Sequence, residues 1–192
     1  MKKFICCFVL IFFLGSFTSC TNHQQLAPGE EQERKTRAQL LISRASLLML
    51  RGDRNSLRSA TSAIELARDL IGDTAEIMDA LGCIEWRRGS REFATDYFKK
   101  AIKIDNSYSP PYTHLAFVAE ENGDLVEAEL LLRKALELAP ASIEARNNYG
   151  ALLLRIGQKS NARHELLKAI QFSDGVNHPI LFNLEQIENT SH

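Results

Sequence analysis

Hydrophobic and polar positions divide the chain into two kinds of material. After Met1-Lys2-Lys3, residues Phe4 to Leu14 form one unbroken apolar run. It is too short to span a bilayer and has the length of an export-signal core. Beyond residue 36 the pattern becomes periodic. Ala60, Ala94, Ala128 and Ala162 recur every 34 residues, as do Ala67, Ala101, Ala135 and Ala169. Gly82, Ala116 and Gly150 keep the same period, and so do Gly89, Gly123 and Gly157. Large apolar residues stand beside the small ones: Leu81 and Phe98, Leu115 and Leu132, Tyr149 and Leu166. Small residues at fixed places mark close helix crossings, and single glycines mark helix ends that need a left-handed backbone. The pattern predicts nine helices after residue 36 and no strand. The first runs from about Arg37 to Leu50. Because Gly52 comes three residues early, a longer turn is expected around Gly52-Asp53-Arg54-Asn55. Ser90 and Asp124 are expected to cap the helices that follow them. Asn177 is expected to cap a last helix with Pro179 in its first turn and Ile180, Leu181, Leu184 and Ile187 on one face.

A 34-residue period of helix pairs resembles the tetratricopeptide repeat family. The resemblance implies an all-α solenoid, a right-handed superhelix of antiparallel helix pairs, closed by a C-terminal capping helix. The second unit covers Ala75 to Tyr108, the third Ser109 to Ser142 and the fourth Ile143 to Val176. The third keeps Tyr112, Leu115, Ala116, Gly123, Ala128, Leu132, Ala135 and Pro140 in register. The first unit is degenerate, as terminal repeats often are. The segments are therefore 1–19 (signal), 20–36 (polar tether), 37–176 (four units) and 177–192 (capping helix and tail).

Thr18-Ser19-Cys20, after the apolar run, resembles the lipobox of bacterial lipoproteins, although Phe17 stands where an aliphatic residue is usual. The resemblance implies that Cys20 is lipidated and becomes the first mature residue. Thr21 behind it implies the outer membrane, on its periplasmic side. Cys6 and Cys7 would be removed with the signal, leaving Cys83 without a disulfide partner. The stretch from Thr21 to Lys35 is polar and contains Pro28-Gly29. It reads as a flexible or only partly helical tether.

The 192 residues are 45% hydrophobic and 24% charged, with a formal net charge of -1. One domain with a real core is implied, and no basic excess exists to hold a nucleic acid. No His-Glu-x-x-His, no two histidines at ligand spacing on one helix and no Gly-rich phosphate loop occur. The expectation is therefore no catalysis, no cofactor and no metal.

In the resembled family the first helix of each unit lines a concave groove that holds a partner. The register places Asp79, Cys83, Trp86 and Arg87 there from the second unit. Thr113, His114, Phe117 and Glu120 come from the third, and Asn147, Asn148, Ala151 and Arg155 from the fourth. Trp86 and Phe117 are read either as aromatic anchors or as packing between units, and Cys83 as a small packing residue. Of the Lys, Asn and Arg clamp that chaperone-tail binders of the family use, only Asn148 is matched. The implied partner is another envelope protein. Asn147-Asn148-Tyr149-Gly150-Ala151-Leu152-Leu153 resembles a segment of type IV pilus pilotins. The alternative is a lipoprotein that docks or regulates cell-wall (peptidoglycan) enzymes.

Overall fold

A computed structural model describes residues 28–173 and 178–189. The segment 1–19, Cys20, the first residues of the tether and Asn177 lie outside the described residues. Within them the chain forms α1 (Pro28–Arg51), α2 (Arg54–Ile71), α3 (Ala75–Arg88), α4 (Arg91–Ile104), α5 (Pro110–Glu121), α6 (Leu125–Leu138), α7 (Ile143–Arg155), α8 (Lys159–Phe172) and α9 (His178–Asn189). No strand occurs among them.

Consecutive helices pair as hairpins, α1 with α2 through α7 with α8, and each hairpin packs on the next. Odd-numbered helices also touch one another in a row, α1 to α3, α5, α7 and α9, whereas even-numbered helices do not meet. The row whose members approach most closely lies on the inner side of a bend. The odd helices therefore form the inner face and the even helices the outer one.

The alanine columns are the core. Ala60, Ala67, Ala94, Ala101, Ala128, Ala135, Ala162 and Ala169 all have 0% exposure. Two small residues per outer helix bring its backbone close to its partner helix, and Phe98, Leu132 and Leu166 fill the space between them. Gly82 and Gly150 make room for a side chain across the crossing. A Cβ on Gly82 would come within 2.6 Å of Phe98 Cδ1, and one on Gly150 within 2.6 Å of Leu166 Cγ. At each crossing the tight partner is the large residue one turn after the small Ala94 or Ala162.

Helix ends follow the predicted punctuation with local differences. Gly89, Gly123 and Gly157 all have φ between 82° and 86°. Asp124 accepts a hydrogen bond from the Glu127 N–H at 2.9 Å, whereas the Ser90 side chain makes no cap bond. The turn of the first unit is no longer than the others. Gly52 takes φ 70° and Asp53 caps α2 through the N–H groups of Asn55 and Ser56. The early glycine is absorbed by α2, which has 18 residues against 14 in α4, α6 and α8. An extra helical turn keeps every backbone bond inside the helix, which a longer loop would leave to solvent.

At the N-terminal end α1 begins nine residues before the expected Arg37, at Pro28. Proline suits a first helical position, Glu30 and Glu31 sit in the positive first turn, and Lys35 pairs with Glu31 one turn on. At the other end α9 covers α7 and α8. Ile180 and Ile187 are buried and Leu184 packs beside them. Leu181, expected on that face, is 44% exposed. Its position is 100° around the helix from Ile180. No helix among the described residues is long and apolar enough to cross a membrane.

Candidate functional site

The inner face holds a pocket of about 630 Å³. Four inner helices contribute: Ser46 and Met49 from α1, Cys83, Trp86 and Arg87 from α3, Thr113, His114 and Phe117 from α5, Glu144 and Asn148 from α7. Arg91 and Phe98 reach it from α4. Regular stacking places side chains from α1, α3, α5 and α7 around one volume, because each inner helix repeats the geometry of the last.

Two aromatic rings stand over the pocket. Trp86 meets Phe117 edge-to-face, with ring centroids 5.3 Å apart and planes at 68°. The Arg91 guanidinium lies 3.5 Å above the indole and is itself 3.5 Å from the Glu121 carboxylate. Phe117 remains 43% exposed. The rings pack between the second and third units, and they still offer apolar surface to the pocket. Arg91 joins the site from outside the inward-facing columns. It belongs to the first turn of an outer helix.

The polar residues of the predicted groove divide into two sets. Arg87, His114 and Asn148 line the pocket with Trp86 and Phe117. Asp79 and Asn147, in one column of the repeat with Thr113, are drawn into the seams between successive inner helices. Asp79 is buried and contacts His114 of the next unit. Thr113 is 3% exposed, on the pocket floor. Asn147 accepts a hydrogen bond from Asn183 on α9 at 3.0 Å. Glu120 is spanned by Arg155, which contacts its carboxylate at 3.1 Å and its carbonyl at 3.3 Å. Ala151 is half-buried and lines no part of the pocket. Register says that a residue faces inward; the partner 35 or 36 positions ahead decides whether it stays free.

One cluster joins α3 to α5. Asp79 Oδ1 lies 2.8 Å from His114 Nδ1. Cys83 Sγ lies 3.7 Å from both ring nitrogens, so it is on the axis of neither. A base poised for a thiol presents one nitrogen to it, and this ring does not. Phe98 stacks on the imidazole at 4.9 Å, and Glu144 Oε1 approaches Nε2 at 3.7 Å. Burial by itself disfavours the imidazolium, but the Asp79 carboxylate and Cys83 outweigh it and hold the His114 pKa well above the ordinary histidine value.

That shift has a sign for stability. An unfolded histidine titrates near about 6.5, so the His114 contribution is complete below that pH. It is lost as pH rises through the higher folded value. Urea midpoints of the wild type should therefore fall from pH 6 towards alkaline pH more steeply than those of His114→Gln. Parallel curves for the two proteins would refute the assignment.

The expectation of no metal-binding set rested on histidine spacing within single helices. Asp79 and Cys83 stand one turn apart on α3, and His114 arrives from the neighbouring helix, 31 residues after Cys83. Only the i, i+4 pair was visible in the sequence, and it has no meaning without the third member.

Residues 109–142 match the sequence profile of the tetratricopeptide repeat family. These are the bounds of the third unit read from the period. The TPR repeat-containing protein PA4299 of Pseudomonas aeruginosa is 37% identical over 73 residues, which are 38% of this chain and 30% of that one. The protein ycf37 of Porphyra purpurea is 26% identical over 68 residues, 35% of this chain and 39% of that one. The chain thus spans well under half the length of these relatives. Among solved structures, Pseudomonas aeruginosa pilF superposes with a TM-score of 0.65 at 16% identity, covering 84% of this chain and 70% of that one. The first tetratricopeptide domain of Spaghetti (RPAP3), bound to the HSP90 peptide SRMEEVD, gives 0.55 at 17% identity, covering 60% and 91%. MamA gives 0.52 at 20% identity, covering 74% and 84%. At these identities the superpositions speak for the fold, a tetratricopeptide solenoid.

Proposed function

We propose that this tetratricopeptide solenoid is a non-catalytic adaptor of the bacterial envelope, anchored by a lipid on Cys20 to the periplasmic side of the outer membrane. It holds a segment of another envelope protein in the inner groove and assists assembly of a pilus or secretin. The observation that carries the binding role is the Trp86–Phe117 pair, partly open above a pocket built by four inner helices. Large rings lose little conformational freedom on binding and supply the apolar anchor that interfaces use. Arg87, Arg91, Glu144 and Asn148 give that anchor a polar rim. Each unit buries its neighbour, so the side chains stand at fixed intervals, which suits an extended or helical segment. The apolar run before Cys20 supports the anchor. The similarity of fold to pilF directs the choice of pilus over cell-wall assembly.

The test is a crosslinking pull-down from envelope fractions of cells labelled with palmitate. Wild-type protein should carry the label, Cys20→Ala should not, and both should retain the groove. A Trp86→Ala, Asn148→Ala double variant should remain folded and lose the partner. Each truncation at a hot spot costs about 2 kcal/mol or more, roughly thirtyfold in affinity. Equal recovery of the same partner by the folded double variant would move the binding surface elsewhere.

A further inference from the structure

We propose that Asp79, Cys83 and His114 form a binding site for a zinc-type divalent cation in the floor of the groove, where they join the second and third units. Their donor atoms all lie within 4.8 Å of one another. This goes beyond the adaptor role and does not depend on it.

The donor set selects the ion. A thiolate, an imidazole and a carboxylate together suit zinc, whereas calcium and magnesium take oxygen ligands. The spacing fits as well. Zinc bonds of about 2.0 Å to nitrogen and oxygen and about 2.3 Å to sulfur, at tetrahedral angles, put nitrogen and sulfur about 3.6 Å apart. Cys83 Sγ is 3.7 Å from His114 Nδ1. The same geometry puts nitrogen and oxygen about 3.3 Å apart. Asp79 and His114 stand at 2.8 Å, the separation of a shared proton. A cation replacing that proton widens this pair by about half an ångström. A small swing of the imidazole brings its nitrogen axis onto the ion, which lies off the present line to the sulfur. The ring and thiol protons go to solvent as the three bonds form.

A carboxylate stands on the far side of the ring, one small movement short of a hydrogen bond. A metal-bound histidine commonly gives its far N–H to a carboxylate, which fixes its orientation. Glu144 Oε1 stands 3.7 Å from Nε2, on α7, and Phe98 stacks on the ring. Asp79 is already buried, so the cost of removing its charge from water is met within the fold. Cys83 and His114 line the groove, from which water or a donor atom of a bound segment would supply a fourth ligand.

The experiment is Zn2+ titration of the reduced protein by calorimetry, with Co2+ as the optical probe. Wild type is expected to bind one Zn2+ per chain, and its Co2+ complex to show thiolate-to-cobalt charge transfer with tetrahedral d–d bands. Cys83→Ala should lose the charge-transfer band and bind Zn2+ at least about tenfold more weakly, and His114→Gln should weaken binding similarly. Cys83→Ala is tolerable, since Ala151 occupies the equivalent place in the fourth unit. No stoichiometric binding by the wild type, or a cobalt complex without the thiolate band, overturns the proposal. So does unchanged Zn2+ affinity in the folded variants. Absence of the thiolate band from the wild type overturns the proposal even where a variant fails to fold.

Discussion

Gly82→Ala is expected to destabilise the protein by about 1 to 3 kcal/mol, against the usual direction of that substitution. In an ordinary helix interior alanine replaces glycine with a gain approaching about 1 kcal/mol, because glycine has more backbone freedom to lose. Here the new methyl overlaps the Phe98 ring at Cε1 and lies within 2.6 Å of Cδ1. Phe98 is 2% exposed and packs on the His114 ring, so a retreat towards the pocket gives up that contact. The third unit shows how the same crossing accommodates a methyl. Ala116 stands where Gly82 does, and Leu132 stands where Phe98 does. Gly82→Ala combined with Phe98→Leu should therefore recover part of the loss, a coupling that a thermodynamic cycle on the four proteins measures. Additive effects would mean that the methyl disturbs something other than the ring.

That crossing also shows which parts of the structure can be read in the residues. The two alanine columns are fully buried because a period of 34 fixes both their spacing and their meaning, a backbone approached too closely for a larger side chain. The register of the third unit, Ser109 to Ser142, follows from the same columns. Other features depend on atoms distant in the chain. Gly52 announces a turn, but whether its early arrival lengthens the loop or α2 is settled by packing of the first unit against the second. Inward-facing columns name Trp86, Phe117 and Asn148 as groove residues. They also name Asp79 and Asn147, which His114 and Asn183 take up, because a column reports direction and not occupancy of the seam. Arg91 is illegible on this reasoning, since an outer helix supplies it. The Asp79–Cys83–His114 cluster joins two helices, and no local spacing encodes it.

Glu165→Ala is expected to have the largest effect of a single polar substitution, a loss of roughly 3 kcal/mol confined to the fourth unit and its cap. Arg146 on α7 and Glu165 on α8 form an ion pair with side chains only 11% and 14% exposed. The guanidinium is committed on every side. Nε and Nη2 donate to the Pro140 carbonyl at 2.9 and 2.5 Å, and the Phe172 ring lies 5.4 Å from Cζ. One charge therefore ties the end of α6 to α7 and α8. Glu165 also receives Lys168 Nζ at 3.3 Å, but Lys168 is on the same helix and more exposed, so it adds little. Truncating Glu165 leaves a guanidinium that is largely shielded from water without its counter-charge, which costs more than the pair itself contributes. At about 2 to 4 °C per kcal/mol for a chain of this size, the midpoint should fall by about 10 °C. Lys134→Ala serves as the control, because its partner Glu137 is 69% exposed and an exposed pair is worth less than about 1 kcal/mol. Replacing both partners, Arg146→Met with Glu165→Leu, should restore most of the loss by removing the stranded charge. Salt separates the two cases further, since half-molar sodium chloride screens exposed charges and leaves a shielded pair largely intact. Melting of Glu165→Ala within a degree or two of wild type would mean that water reaches Arg146 freely and that the ties between α6, α7 and α8 are apolar alone.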